Sequence, residues 1–187
     1  MIGDLKGVTP GEPHANGTGT INHLRLTVSD IGRAKAFYQP FLHELGYRFV
    51  EESGSRLAWA SWTPQATLQW VIMSVSNPNS DNKKHDRYSP GLHHVAWNVQ
   101  SRDEVDRIYK HLSGLGVEIL DPPTEYEFEP GYYAFFFSDP DGLKLEVSNV
   151  TTAGGLSYWR DYSERGGPRV SPAVTEPDFL RRSCCEP

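Results

Sequence analysis

Two stretches of the chain alternate apolar and polar residues and then change to a helical period. I-N-H-L-R-L-T-V-S-D-I-G-R-A-K-A-F-Y begins at Ile21, and L-H-H-V-A-W-N-V-Q-S-R-D-E-V-D-R-I-Y begins at Leu92. Each reads as a strand, a polar cap and a helix. Ser29 or Asp30 is placed to cap the first helix, and Ser101 the second, with Glu104 as its capping-box partner. Leu45-Gly46 and Leu115-Gly116 mark the helix ends, glycine being the usual residue just past a last turn. Three strand-like runs follow each helix: Tyr47 to Glu52, Arg56 to Trp62 and Leu68 to Val75 in the first half, then Val117 to Leu120, Tyr132 to Ser138 and Leu143 to Val150 in the second. Asp139-Pro140-Asp141-Gly142 is a strong turn between the last two. The pattern predicts an α+β chain of two βαβββ modules. Module one covers 20–76, a polar linker 77–90, and module two 91–150. A repeat of about 70 residues occurring twice is a duplicated module and not a solenoid.

Alternation also divides each strand into two faces. Leu24, Leu26 and Val28 oppose His23, Arg25 and Thr27; His93, Val95 and Trp97 oppose His94 and Ala96; Leu143, Leu145 and Val147 oppose Lys144, Glu146 and Ser148. The apolar faces are expected under the helices, with His93 among them. The repeat puts His23 and His94 at equivalent positions, and Glu146 stands on the same kind of face. Two imidazoles and one carboxylate can hold a divalent metal and leave positions open for substrate. Each of the three also has an ordinary reading, as a surface histidine or as a glutamate paired with Lys144 or Arg25.

Composition narrows the partners. Hydrophobic residues at 37% and charged residues at 22% suit a globular chain of 187 residues. A net charge of -6 argues against a nucleic-acid surface. No run approaches the roughly 18 apolar residues that span a bilayer. The first residues carry no apolar signal core, so a cytoplasmic location is expected. Residues 1–19, rich in Gly, Pro and Thr, read as a flexible arm, and 151–187 as a C-terminal extension containing Cys184 and Cys185, too close to form a disulfide framework.

These motifs resemble the vicinal oxygen chelate superfamily, which includes glyoxalase I, extradiol dioxygenases, fosfomycin resistance proteins and bleomycin-binding proteins. N-H-L-R-L-T-V-S-D is similar to its first strand, H-H-V-A-W-N-V to its fifth and F-F-F-S-D-P-D-G-L-K-L-E-V to its last hairpin. The resemblance covers Gly19 to Val150. It implies a cup-shaped curved mixed sheet with helices outside, and a metal held by His23, His94 and Glu146. The metal would be iron, zinc, nickel or manganese. The cup forms within one chain or by module exchange, and a homodimer acting on a small-molecule substrate is expected. Two positions depart from known members. The fourth strand, T-L-Q-W-V-I-M-S-V, holds no acid where glyoxalase I supplies another ligand, Gln69 being its one polar candidate. Phe136 stands where dioxygenases and fosfomycin resistance proteins carry a tyrosine.

The chemistry implied is lyase, isomerase or dioxygenase catalysis in which a developing oxyanion is stabilised. Its alternative is a metal-free protein that sequesters a hydrophobic compound. Tyr132, sharing strand parity with Phe136, and Arg25, near His23, are the candidate catalytic residues. The segment T-E-Y-E-F-E-P-G-Y-Y also offers Glu125, Tyr126, Glu127, Glu129 and Tyr133.

Overall fold

Where apolar and polar residues alternate at Leu24, Leu26 and Val28, the backbone extends: β1 spans His23–Val28. The computed structural model describes residues 21–62, 68–128 and 131–150. Asp30 caps α1, Ile31–Glu44, by accepting the Arg33 N–H at 2.6 Å. Ser101 caps α2, Arg102–Gly114, accepting the Glu104 N–H at 3.2 Å. The Glu104 carboxylate reaches back to the Gln100 N–H at 2.7 Å, one residue further than a standard capping box. Gly46 and Gly116, at φ +80° and +76°, turn the chain out of each helix.

The remaining strands are β2 (Arg48–Ser53), β3 (Arg56–Trp62), β4 (Leu68–Val75), β5 (His94–Asn98), β6 (Ile119–Glu125), β7 (Tyr133–Ser138) and β8 (Lys144–Asn149). They form two four-stranded mixed sheets, ordered β1-β4-β3-β2 and β5-β8-β7-β6. β1 runs parallel to β4 and β5 to β8, and the other pairs are antiparallel. The fold is therefore the expected α+β pair of βαβββ modules. β6 differs from expectation, because it continues through Asp121, Pro122 and Pro123 to Glu125. As the outermost strand it tolerates prolines, whose missing N–H groups are not needed on an open edge. The ladder to β7 shifts register across this stretch. The proposed arm 1–19, the C-terminal extension and its two cysteines lie outside the described residues. Among the described residues no helix is long and apolar enough to cross a membrane.

Both sheets bury their apolar faces in one cluster, shared by Leu26, Trp59 and Met73 of the first half and Ile108, Phe137 and Leu145 of the second. Helix α1 joins them. Phe41 packs edge-on against Trp97 at 5.1 Å and against Phe137 at 5.0 Å. Tyr38 donates its hydroxyl to Asp139 Oδ2 at 2.8 Å. At the N-terminal end of α1, Ser29 N–H and Arg33 Nη2 hold Asp141 at 2.8 and 2.7 Å. The D-P-D-G turn of the second half is thus clasped by the helix of the first. On the opposite, more polar face of the second sheet Lys144, Glu146 and Ser148 are all buried.

Candidate metal centre

Parallel pairing of β5 with β8 sets His94 beside Lys144 and Ala96 beside Glu146. On the next strand, Phe136 is the cross-strand neighbour of Glu146. Glu146 is only 2% exposed, so its carboxylate needs partners. Tyr132 donates its hydroxyl to Oε1. His94 Nε2 stands 3.2 Å from Oε2. Two ligands at about 2.1 Å from one ion, 90° to 110° apart, are separated by about 3.0 to 3.4 Å. The pair therefore has the spacing of neighbouring ligands, and a divalent ion fits this donor set.

The third expected ligand is elsewhere. His23 is exposed, and its Nδ1 meets Asn22 Oδ1 at 2.9 Å. Among the described residues no three His, Cys, Asp or Glu side chains stand close enough to hold one metal ion. The set His23, His94 and Glu146 is therefore not assembled within a single chain. The reason is the shared core: each sheet turns its apolar face to the same cluster, so the two polar faces are turned away from it. Arg25 shares the His23 face and gives Nε and Nη2 to Ser74 Oγ, at 3.1 and 2.9 Å.

His93 also differs from expectation. Strand β5 begins only at His94, and His93 is exposed instead of packing with Val95 and Trp97. Its Nδ1 lies 2.7 Å from Nδ1 of His94, and its ring meets Tyr88 edge-on at 6.0 Å. One of the two Nδ1 atoms donates and the other accepts, which holds the plane of the His94 ring; when His94 is the donor, its Nε2 keeps a lone pair for a metal. Desolvation, followed by the positive charges of His94 and Lys144, pulls the His93 imidazole below its ordinary range.

Around Glu146 the walls are aromatic. Lys144, nearly buried, sets Nζ 3.8 Å from the Phe136 ring centre. Tyr126 meets Phe136 edge-on at 5.4 Å and stacks on Phe128 at 5.3 Å. Burial, then the charges of Asp121 and Glu146, push the Tyr126 phenol well above its ordinary range. The other residues of that segment do different work. Glu125 pairs with Arg102, and Tyr133 donates to Asp106 at 2.9 Å on the helix side of the sheet. Glu127 is exposed, and Glu129 lies outside the described residues. Alternation had already put Lys144 on the Glu146 face, but nothing in its spacing singled it out, nor singled Tyr126 out from its neighbours.

Comparison with known proteins agrees with this architecture. The model of the glyoxalase/bleomycin resistance protein/dioxygenase superfamily matches residues 20–147. The uncharacterized protein YqjT of Bacillus subtilis is 30% identical over 128 residues, covering 68% of this chain and 96% of its own. A metallothiol transferase FosB of Lysinibacillus sphaericus is 28% identical, covering 75% of this chain and 89% of its own. The crystal structure of a putative glyoxalase from Bacillus halodurans superposes with a TM-score of 0.61 at 24% identity, covering 72% and 98% of the two chains. With two βαβββ modules and a family-model match across nearly all of the described fold, the chain belongs to the glyoxalase/bleomycin resistance protein/dioxygenase superfamily.

Proposed function

We propose that the chain is a divalent-metal-dependent enzyme acting on a small oxygen-bearing substrate, by lyase, isomerase or dioxygenase chemistry. In this reading His94 and Glu146 of one chain are joined by His23 from a second copy in a homodimer. The observation that carries it is the convergence of His94 Nε2 and the buried Glu146 Oε2 at 3.2 Å. Module exchange is supported by the absence, among the described residues, of a third ligand beside the His94–Glu146 pair. The relative named a metallothiol transferase supports use of a metal, at 28% identity. Iron, zinc, nickel or manganese held there supplies Lewis acidity toward a substrate oxygen.

The chain's own residues do the rest. Tyr132 holds Glu146 by Oε1, leaving Oε2 directed at the site, and its hydroxyl is the proton carrier already bonded at the carboxylate. His93 fixes the His94 ring through Nδ1. Phe136 and Tyr126 keep water from the inner wall. Arg25, arriving with His23 from the second copy, meets negative charge on the substrate.

Metal analysis of protein purified without added metal tests this reading. One ion per site is expected, lost in His94→Ala and in Glu146→Gln while the fold persists by circular dichroism. Absence of micromolar metal affinity overturns the enzyme reading and favours the metal-free binder of hydrophobic compounds. With metal present, oxygen uptake with catechols against isomerisation of a hemithioacetal separates the reaction classes.

A further inference from the structure

Strand β8 is buried on both faces. Leu145 and Val147 join the shared core with Val105 and Ile108 of α2, so alternation sends Lys144, Glu146 and Ser148 to the other side. Those three are 7%, 2% and 4% exposed, and Phe136 beside Glu146 is 5% exposed. Lysine and glutamate are almost never buried this far unless other groups pair with them and close over them. Tyr126, Phe128 and Tyr132 form one wall of the row, on the β6–β7 side. On the other side Ala96 and Asn98 of β5 stay exposed. The cover therefore lies along β8 itself and stops short of the edge strand.

The segment that follows β8 suits that place. Val150 is held where β8 ends, its N–H bonded to Asn98 Oδ1 at 3.2 Å, and residues 151–187 continue from there. Thr151-Thr152-Ala153-Gly154-Gly155 offers two adjacent glycines for a reversal, and L-S-Y-W-R-D-Y, Leu156 to Tyr162, comes next. The row from Lys144 to Asn149 is about 17 Å long, and seven extended residues reach about 23 Å. Leu156, Tyr158, Trp159 and Tyr162 suit Phe136 and the neighbouring rings, while Arg160 and Asp161 oppose the charges of Glu146 and Lys144. We propose that Leu156–Tyr162 of the same chain lies along β8 as a cover of the candidate centre, one that must lift before substrate reaches Glu146. As a gate on that centre the proposal rests on the metal-site reading above. The exposed face of β5 stays free for the second copy that brings His23.

Acetylation by acetic anhydride, followed by mass spectrometry on metal-free full-length protein, tests the cover. Lys83, its side chain 84% exposed, is the internal reference. In wild type Lys144 is expected to react far more slowly than Lys83. In a full-length variant combining Leu156→Ser, Tyr158→Ser, Trp159→Ser and Tyr162→Ser, the Lys144 rate is expected to rise about tenfold while that of Lys83 stays unchanged. Equal hydrogen exchange at the β7 and β8 amides shows that the sheet itself has not opened; where it has, Trp159→Ser alone carries the comparison. Lys144 as reactive as Lys83 in wild type overturns the proposal. Equal protection in wild type and variant overturns it too, and puts a second copy or the walls of the sheet over β8. Co(II) uptake is measured separately and is expected to be faster in the variant. Wild type that takes no Co(II) defeats the metal-site reading, and the gate with it. Wild type that takes Co(II) while labelling stays unchanged defeats the cover alone.

Discussion

Asp139 shows how one side chain can tie a turn to a distant helix at an electrostatic cost. It is 5% exposed, receives the Tyr38 hydroxyl at 2.8 Å, and accepts the N–H groups of Asp141 and Leu143 at 2.9 and 2.8 Å. These bonds favour the anion, yet burial outweighs them and raises its pKa above the ordinary 3.8. The folded state therefore takes up the proton before the unfolded state does. The stability contributed by this group is fully present below 3.8 and is lost as pH rises through the raised folded value. Urea unfolding of wild type and Asp139→Asn checks the sign. The advantage of wild type over the variant should grow as pH is lowered from neutral toward 3.8. A shrinking advantage across that window would show that the three hydrogen bonds, and not burial, control the group.

At the scale of elements, the D-P-D-G turn is held most tightly at Gly142. Its φ is +87°, and an added Cβ would sit 3.3 Å from Lys84 Cβ and 3.4 Å from the His85 backbone nitrogen. Gly142→Ala should therefore cost about 2 kcal/mol in urea unfolding, from backbone strain together with crowding. Gly54, with no atom near an added Cβ and no positive φ, serves as the contrasting site where alanine is tolerated. Much of this architecture was legible in the sequence because local rules dictate it. The cap at Ser101, a cap at Ser29 or Asp30 (the structure uses Asp30), the Gly46 and Gly116 exits, and strands β3 and β4 follow from residue type and period. What misled were positions set by tertiary context. The strand expected to end at Leu120 runs on through Pro122 and Pro123, which an edge position accommodates. His93 fits the alternation of β5, yet the strand starts one residue later. The residues of the centre were legible as types on faces, whereas their meeting depends on how the halves pack, which no local pattern encodes.

For the whole molecule, the decisive fact is that His23 does not join the His94–Glu146 pair in a three-ligand group within one chain. Module exchange makes a specific prediction about mixtures. His23→Ala and His94→Ala homodimers should each lack metal. Coexpressed, a mixed dimer carries one doubly defective site and one intact site, so tight metal binding returns at one ion per two chains. No recovery in mixed dimers verified by mass spectrometry would rule out sharing of the centre between chains.

The clasp of α1 on the D-P-D-G turn has a consequence for folding itself. The sequence repeats, but its halves are not interchangeable units that can stand apart. Phe41 and Tyr38 complete the interior of the second half, and Asp139 and Asp141 anchor the helix of the first. Cutting the chain at the 77–90 linker would strip both fragments of core, whatever stability each βαβββ motif has alone. The pattern occurs twice, but the core the two halves share makes the pair a single cooperative unit.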